Sequence, residues 1–313
     1  MLLAQILYSL ILQILAFPLI LILFLIGWKK NTLERNGRFL RIPVSAHFRI
    51  RLYHHAAVDA LKVLFGWYGR PIQIRSKDRG KIELLKTKSS LFLSAHFHNW
   101  EVMGSWLITK QGIPLLSAAL PFFNPRSQCL LKFSRRRLGI PTLDKAVPRS
   151  ALRHLLANQC FGMLWDQYPA QGNCFIPFLD TTMRVDPLPT FLIEKSEATV
   201  FFGALLPSGV FRLIQLSSVS RKNQLSQSSA LPLSSFPPPE ISTSQPHSPW
   251  PLRVAVRYHR VLSLLFRMYP EYYYGLTHRR FKDQITYRIS GSVSRETPSN
   301  NSVMVSRETK NKT

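Results

Sequence analysis

Acidic residues are scarce in this chain: 16 Asp and Glu face 41 Lys and Arg, a formal net charge of +25 over 313 residues. The shortage implies an acidic partner, whether nucleic acid, anionic lipid headgroups or an acidic carrier protein. Cysteine is scarcer still. Cys129, Cys160 and Cys174 make no C-x-x-C spacing, and an odd count without a framework fits inert thiols in a reducing compartment. The H-E-x-x-H of zinc enzymes and the G-x-S-x-G elbow of serine hydrolases are both missing. Neither a helix-borne zinc site nor a covalent acyl-serine is therefore expected.

Charge is absent altogether from Met1 to Trp28, a Leu- and Ile-rich run. As a helix it is long enough for a bilayer core of about 30 Å, and membrane helices tolerate a proline such as Pro18. It has no basic n-region and no small-residue cleavage site, which argues against a signal peptide. Lys29 and Lys30 follow, and Lys29 to Lys88 holds fifteen Lys/Arg against four Asp/Glu. The positive-inside rule then puts the rest of the chain on the cytoplasmic face, behind a single N-terminal anchor. Between Arg49 and Trp67, apolar and basic residues recur at helical spacing. That helix is either a contact with anionic lipid or an ordinary domain-edge helix.

With 46% apolar residues the chain can bury a sizeable core, and its pattern alternates strand and helix. Strands are expected at 71–75, 91–95, 113–120, 161–165, 200–206 and 210–215, with helices at 76–86, 100–109, 151–159, 186–199 and 254–269. The fold class is α/β, a mixed sheet flanked by helices. The expected organisation is an anchor helix over 1–28, a catalytic domain over 29–216 with its C-terminal helical part at 251–289, and two disordered segments. These are 217–250, rich in Ser and Pro, and the polar tail 290–313, where Val-Ser-Arg-Glu-Thr occurs twice.

The stretch Ser94-Ala95-His96-Phe97-His98-Asn99-Trp100-Glu101 concentrates the chemistry. On one helix, His96 and Glu101 would lie about 140° apart, so they meet only if the chain bends. Asn99 as N-cap, after a strand ending at Ala95, supplies a bend and puts Glu101 in a first helical turn. His96 is then a candidate general base with Glu101 orienting its ring. The other reading is a buried histidine and an exposed glutamate.

This stretch resembles the H-x4-[D/E] motif of glycerolipid-type acyltransferases, and its Asn-Trp-Glu resembles the lauroyl/myristoyl acyltransferases of lipid A biosynthesis. That family usually has Gly-His-Phe-Gly-Asn-Trp-Glu; Ala95 and His98 stand here at the two glycines. Arg135 and Gly139 match the family's Arg-x-x-x-Gly, Asp166-Gln167 its Asp-Gln or Asp-His pair, and Arg279 to Lys282 its basic C-terminal signature. The resemblance implies a glycerolipid-acyltransferase-like fold and transfer of a fatty acyl chain from acyl carrier protein to a lipid A precursor at the cytoplasmic face of the inner membrane. It implies His96 and Glu101 as catalytic residues, with Asn99, Arg135, Gly139, Asp166 and Gln167 binding substrate. No cofactor, metal or nucleic acid is expected.

Other readings stand beside these. Arg135 binds phosphate through its planar fork, or the run Arg135-Arg136-Arg137 is a solvated helix face. Asp166 holds a loop backbone or an acceptor hydroxyl, or caps a strand end. A zinc site of His96, His98 and Glu101 has the ligand number but lacks a supporting motif. A non-catalytic binder of anionic lipid or nucleic acid explains the charge but not the ordered His–Glu and Asp–Gln motifs.

Overall fold

The structure, a computed structural model, describes residues 2–65, 71–118, 125–143, 147–166, 175–217 and 250–278. Three helices lead: α1 (Leu2–Leu25), α2 (Lys30–Leu40) and α3 (Ala46–Phe65). A two-residue strand β1 (Gln73–Ile74), α4 (Ser76–Thr87) and β2 (Ser90–Ser94) follow, then α5 (Trp100–Thr109), β3 (Leu115–Ala118), α6 (Pro125–Arg137), β4 (Thr142–Leu143), α7 (Val147–Leu156) and β5 (Cys160–Leu164). A hairpin, β6 (Phe175–Phe178) and β7 (Thr181–Arg184), precedes α8 (Pro187–Ser196), β8 (Thr199–Leu205), β9 (Val210–Ser217) and α9 (Trp250–Met268), with short 3-10 turns at Pro270–Tyr272 and Tyr274–Thr277.

Seven strands form one sheet in the order β1-β9-β8-β2-β5-β3-β4. β8, β2, β5, β3 and β4 pair in parallel, β9 turns back antiparallel on β8, and β1 runs with β9. The expected α/β class with a mixed sheet is what forms. β2, Ser-Leu-Phe-Leu-Ser, is buried at every position, as a central parallel strand covered on both faces must be. Leu91 and Leu93 face the larger core with Phe161, Phe202 and Tyr258; Phe92 faces the other with Met103, Leu115 and Phe211. Gly203 lets the Phe92 ring lie against β8: a Cβ there would meet that ring at 2.3 Å.

Local chemistry sets the boundaries. Asp186 accepts the Leu188 N–H and Pro187 opens α8, the N-cap pattern expected near 186. The C-terminal end of α6 closes on Gly139 (φ 68°): Ile140 N–H donates to Arg135 O and Gly139 N–H to Arg136 O. This double closure needs a left-handed residue, which accounts for a glycine four residues after Arg135.

α1 packs one stripe on α3, where Ala16 meets Ala57 and Val58. Leu10, Ile14, Phe17, Leu21 and Leu25 are exposed. No single helix among the described residues is long and apolar enough to cross a membrane; Leu10–Leu25 and Lys30–Leu40, bent by 80°, qualify only as a pair. The expected insertion lies outside the described residues except for Ser217 and Trp250, as do the tail, Gln167, Cys174 and Arg279 to Lys282.

Candidate active site

β2 and β5 run parallel with a constant register, Ser90 opposite Cys160 through Ser94 opposite Leu164. Trp165 N–H donates to Ser94 O, extending the ladder past the strands. Two residues beyond the last pair stand His96 and Asp166. The His96 backbone N–H donates to Asp166 Oδ2 at 3.0 Å, and the ring Nδ1 pairs with Oδ1 at 2.7 Å. Both residues are buried, Asp166 with 1% exposure. A carboxylate can only accept, so Nδ1 carries a proton, and in the neutral tautomer this leaves the lone pair on Nε2. The carboxyl ends of parallel strands are where α/β sheets place their ligands.

Glu101 lies where the sequence placed it, in the first turn of α5 after Asn99. Its carboxylate engages Arg135, whose Nη2 reaches Oε1 at 2.6 Å and whose Nε lies 3.1 Å from Oε2. Among the described residues no hydrogen bond or ion pair joins His96 to Glu101, and the carboxylate on the imidazole is that of Asp166. The reason is topological: the expected bend occurs, but α5 leads Glu101 toward α6, while strand register delivers Asp166. Trp100 links the two pairs, its ring 5.1 Å from the His96 ring and its Nε1–H donating to Glu101 Oε1 at 3.2 Å.

His98 and Asn99 belong to a second buried network centred on Asp59 of α3. His98 Nδ1 lies 2.9 Å from Asp59 Oδ2, Asn99 Nδ2 donates to Oδ1 at 2.6 Å, and Tyr274 OH donates to Oδ2 at 2.7 Å. Burial alone would raise the Asp59 pKa, yet the adjoining His98, Lys62 and Tyr274 hold it below the usual carboxylate value. Asn99 occupies the N-cap position, but its side chain does not cap α5. Its buried Oδ1 has no hydrogen-bond partner among the described residues. His98 has φ 44°, a conformation that favours glycine. Ala95 is not among the described residues with positive φ, so only one of the two replaced glycines carries a backbone cost.

The C-terminal segment closes the loop from outside. Tyr274 N–H donates to His96 O, His98 N–H to Tyr272 O, and Phe97 bridges Tyr273. His278 sits 4.7 Å from the His96 ring. Burial, with His96 and Lys29 nearby, pushes its pKa down to about 4 despite the opposing pull of Asp166. Beside Glu101 and Arg135 opens a small cleft lined by Phe92, Trp100, Met103, Leu115, Ile140 and Met163.

Asp59, Tyr274 and His278 were not foreseen from the sequence. An acidic residue inside an apolar helical stripe was the only available signal for Asp59. Gly139 ends α6 behind Arg135. Among the described residues no group of three or more His, Cys, Asp or Glu could hold a metal, so His96, His98 and Glu101 do not converge.

A buried imidazole held by a carboxylate at strand ends, with Trp100 standing between its ring and the apolar cleft, is an arrangement equipped for proton transfer in an α/β protein. The family can be stated more narrowly. Residues 67–205 match the family model described as bacterial lipid A biosynthesis acyltransferase, and this region, which carries His96, Glu101, Arg135 and Asp166, belongs to that family. The match supports an acyltransferase of lipid A biosynthesis. A search of curated proteins finds no match.

Proposed function

We propose that the chain transfers a fatty acyl group of lauroyl or myristoyl type from acyl carrier protein to a hydroxyl of a lipid A precursor, at the cytoplasmic face of the inner membrane. The observation that carries this reading is the double clasp of Asp166 on His96 inside the matched family region. His96 Nε2 takes the proton of the acceptor hydroxyl as its oxygen attacks the thioester carbonyl. The tetrahedral intermediate collapses, the C–S bond breaks, and the imidazolium returns its proton to the leaving thiolate. Asp166 fixes the tautomer and balances the transient charge.

Glu101 serves the reaction through Arg135 rather than through the imidazole. The pair fixes a cation at the cleft mouth, suited to a phosphate of the acceptor or of the carrier's prosthetic arm. The apolar lining suits the acyl chain, and the unpartnered Asn99 Oδ1 offers an acceptor to a substrate hydroxyl. The exposed apolar faces of α1 and the basic residues after it support attachment to an anionic bilayer.

The test incubates membranes from expressing cells with acyl carrier protein thioesters and lipid A precursor, and reads the product mass. One added acyl chain supports the proposal. A precursor left unmodified, with the protein present in the membrane, rules it out.

A further inference from the structure

α6 carries two sharply different faces. Ser134 and Leu138 are buried and Arg135 turns inward to Glu101. Cys129, Leu130, Phe133, Arg136 and Arg137 are exposed. At about 100° per residue, these five positions fall within roughly a third of the helix circumference. Leu130 and Phe133 are 55% and 51% exposed, and the Arg137 guanidinium lies over the Phe133 ring, 5.9 Å from its centroid. This face is not isolated. Arg137 Nη2 donates to Phe65 O at the end of α3, where Phe65 is exposed too, and α3 also carries α1 with its bare apolar surface.

We propose that α6 is a second membrane-contacting element, lying in the interface of an anionic bilayer with Leu130 and Phe133 among the acyl chains and Arg136 and Arg137 at the headgroups. Apolar side chains flanked by cations on one helix face are what interfacial binding requires. The link through α3 to α1 and its exposed apolar surface favours a lipid surface over a protein partner. Arg135 sits on the far face of the same helix, so contact holds the cleft mouth one helix diameter, roughly 10–12 Å, from the bilayer, within reach of an acceptor whose acyl chains stay in the lipid. The inference rests on the membrane attachment proposed above, and deepens it.

Cys129 provides the probe. Cys160 is buried, so a full-length Cys174→Ser variant labelled with an environment-sensitive thiol fluorophore reports from Cys129. Vesicles containing phosphatidylglycerol are added and co-sedimentation is measured in parallel. The expected result is emission at shorter wavelength and quenching by nitroxides on the lipid acyl chains, both lost in a Leu130→Glu/Phe133→Glu variant that still co-sediments. Water-like emission from a protein that co-sediments overturns the proposal while leaving attachment through α1 intact. Failure to co-sediment at all overturns both. A spectral shift with acidic acyl carrier protein but not with vesicles assigns this face to the carrier and likewise overturns the proposal.

Discussion

The two oxygens of the Asp166 carboxylate are both spent on His96, one on the ring nitrogen and one on the backbone N–H. A single side chain thereby fixes both the orientation of the imidazole and the end of the strand that carries it. Removing this carboxylate should do two different things. Asp166→Asn keeps the shape but offers an amide to a ring that needs an acceptor, and is expected to lower turnover by about 10²–10⁴-fold with little change in thermal midpoint. Asp166→Ala also orphans buried donors and is expected to cost roughly 2–5 kcal/mol of stability. Kinetics and thermal melts of both variants check this, and near-normal turnover in Asp166→Asn would contradict the assignment.

Glu101 and Arg135 are each 11% exposed at the side chain, so breaking the pair leaves a poorly solvated charge. Glu101→Ala should therefore destabilise the wild type more than it destabilises an Arg135→Gln background, with a coupling of about 1–3 kcal/mol. A double-mutant cycle by denaturation measures it. The same cycle on activity should be non-additive, since Glu101 is read as acting through Arg135; additive activity losses would separate the two residues.

His98 holds a left-handed backbone conformation while tied to Asp59. His98→Ala keeps the conformational cost, roughly 1 kcal/mol, and loses the tie. His98→Gly loses the tie but relieves the cost. The expected order of thermal midpoints is wild type, then His98→Gly, then His98→Ala. An alanine variant as stable as the glycine variant would mean the loop is not held in the manner described.

The depressed pKa of His278 gives stability a pH dependence. The folded state keeps this ring neutral down to about pH 4, whereas an unfolded histidine takes a proton below about 6.5. Nothing is lost above that value, and stability falls as pH drops from 6.5 toward 4. The loss is roughly 1–2 kcal/mol at pH 5. His278→Gln should flatten the fall in melting temperature between pH 7 and pH 5, and an unchanged slope would assign the acid sensitivity elsewhere.

How much was legible in the sequence follows the range of the interactions involved. The apolar run of β2, the turn after it and the start of α5 depend on neighbours within a few residues, and 91–95 with 100–109 were read within a residue or so. The β8–β9 pair and α9 were legible for the same reason. The partner of His96 was not, because it comes from 70 residues away through a register that no local pattern encodes. The short hairpin β6–β7 and the polar helix α2 went unread, the first for want of length, the second because its buried face sets Asn36 and Gly37 beside Leu33 and Leu40. Asp59 shows the limit most plainly, since a lone acid on a helix looks solvated until His98, Asn99 and Tyr274 are folded onto it.

The most direct test of the central claim replaces the base alone. Membranes containing His96→Ala, at wild-type abundance, are incubated with acyl carrier protein thioester and lipid A precursor, and the product is weighed by mass spectrometry. The account predicts one added acyl chain from the wild type and a loss of at least about 10²-fold in its rate of formation from His96→Ala. Acylation by His96→Ala at close to the wild-type rate would contradict it.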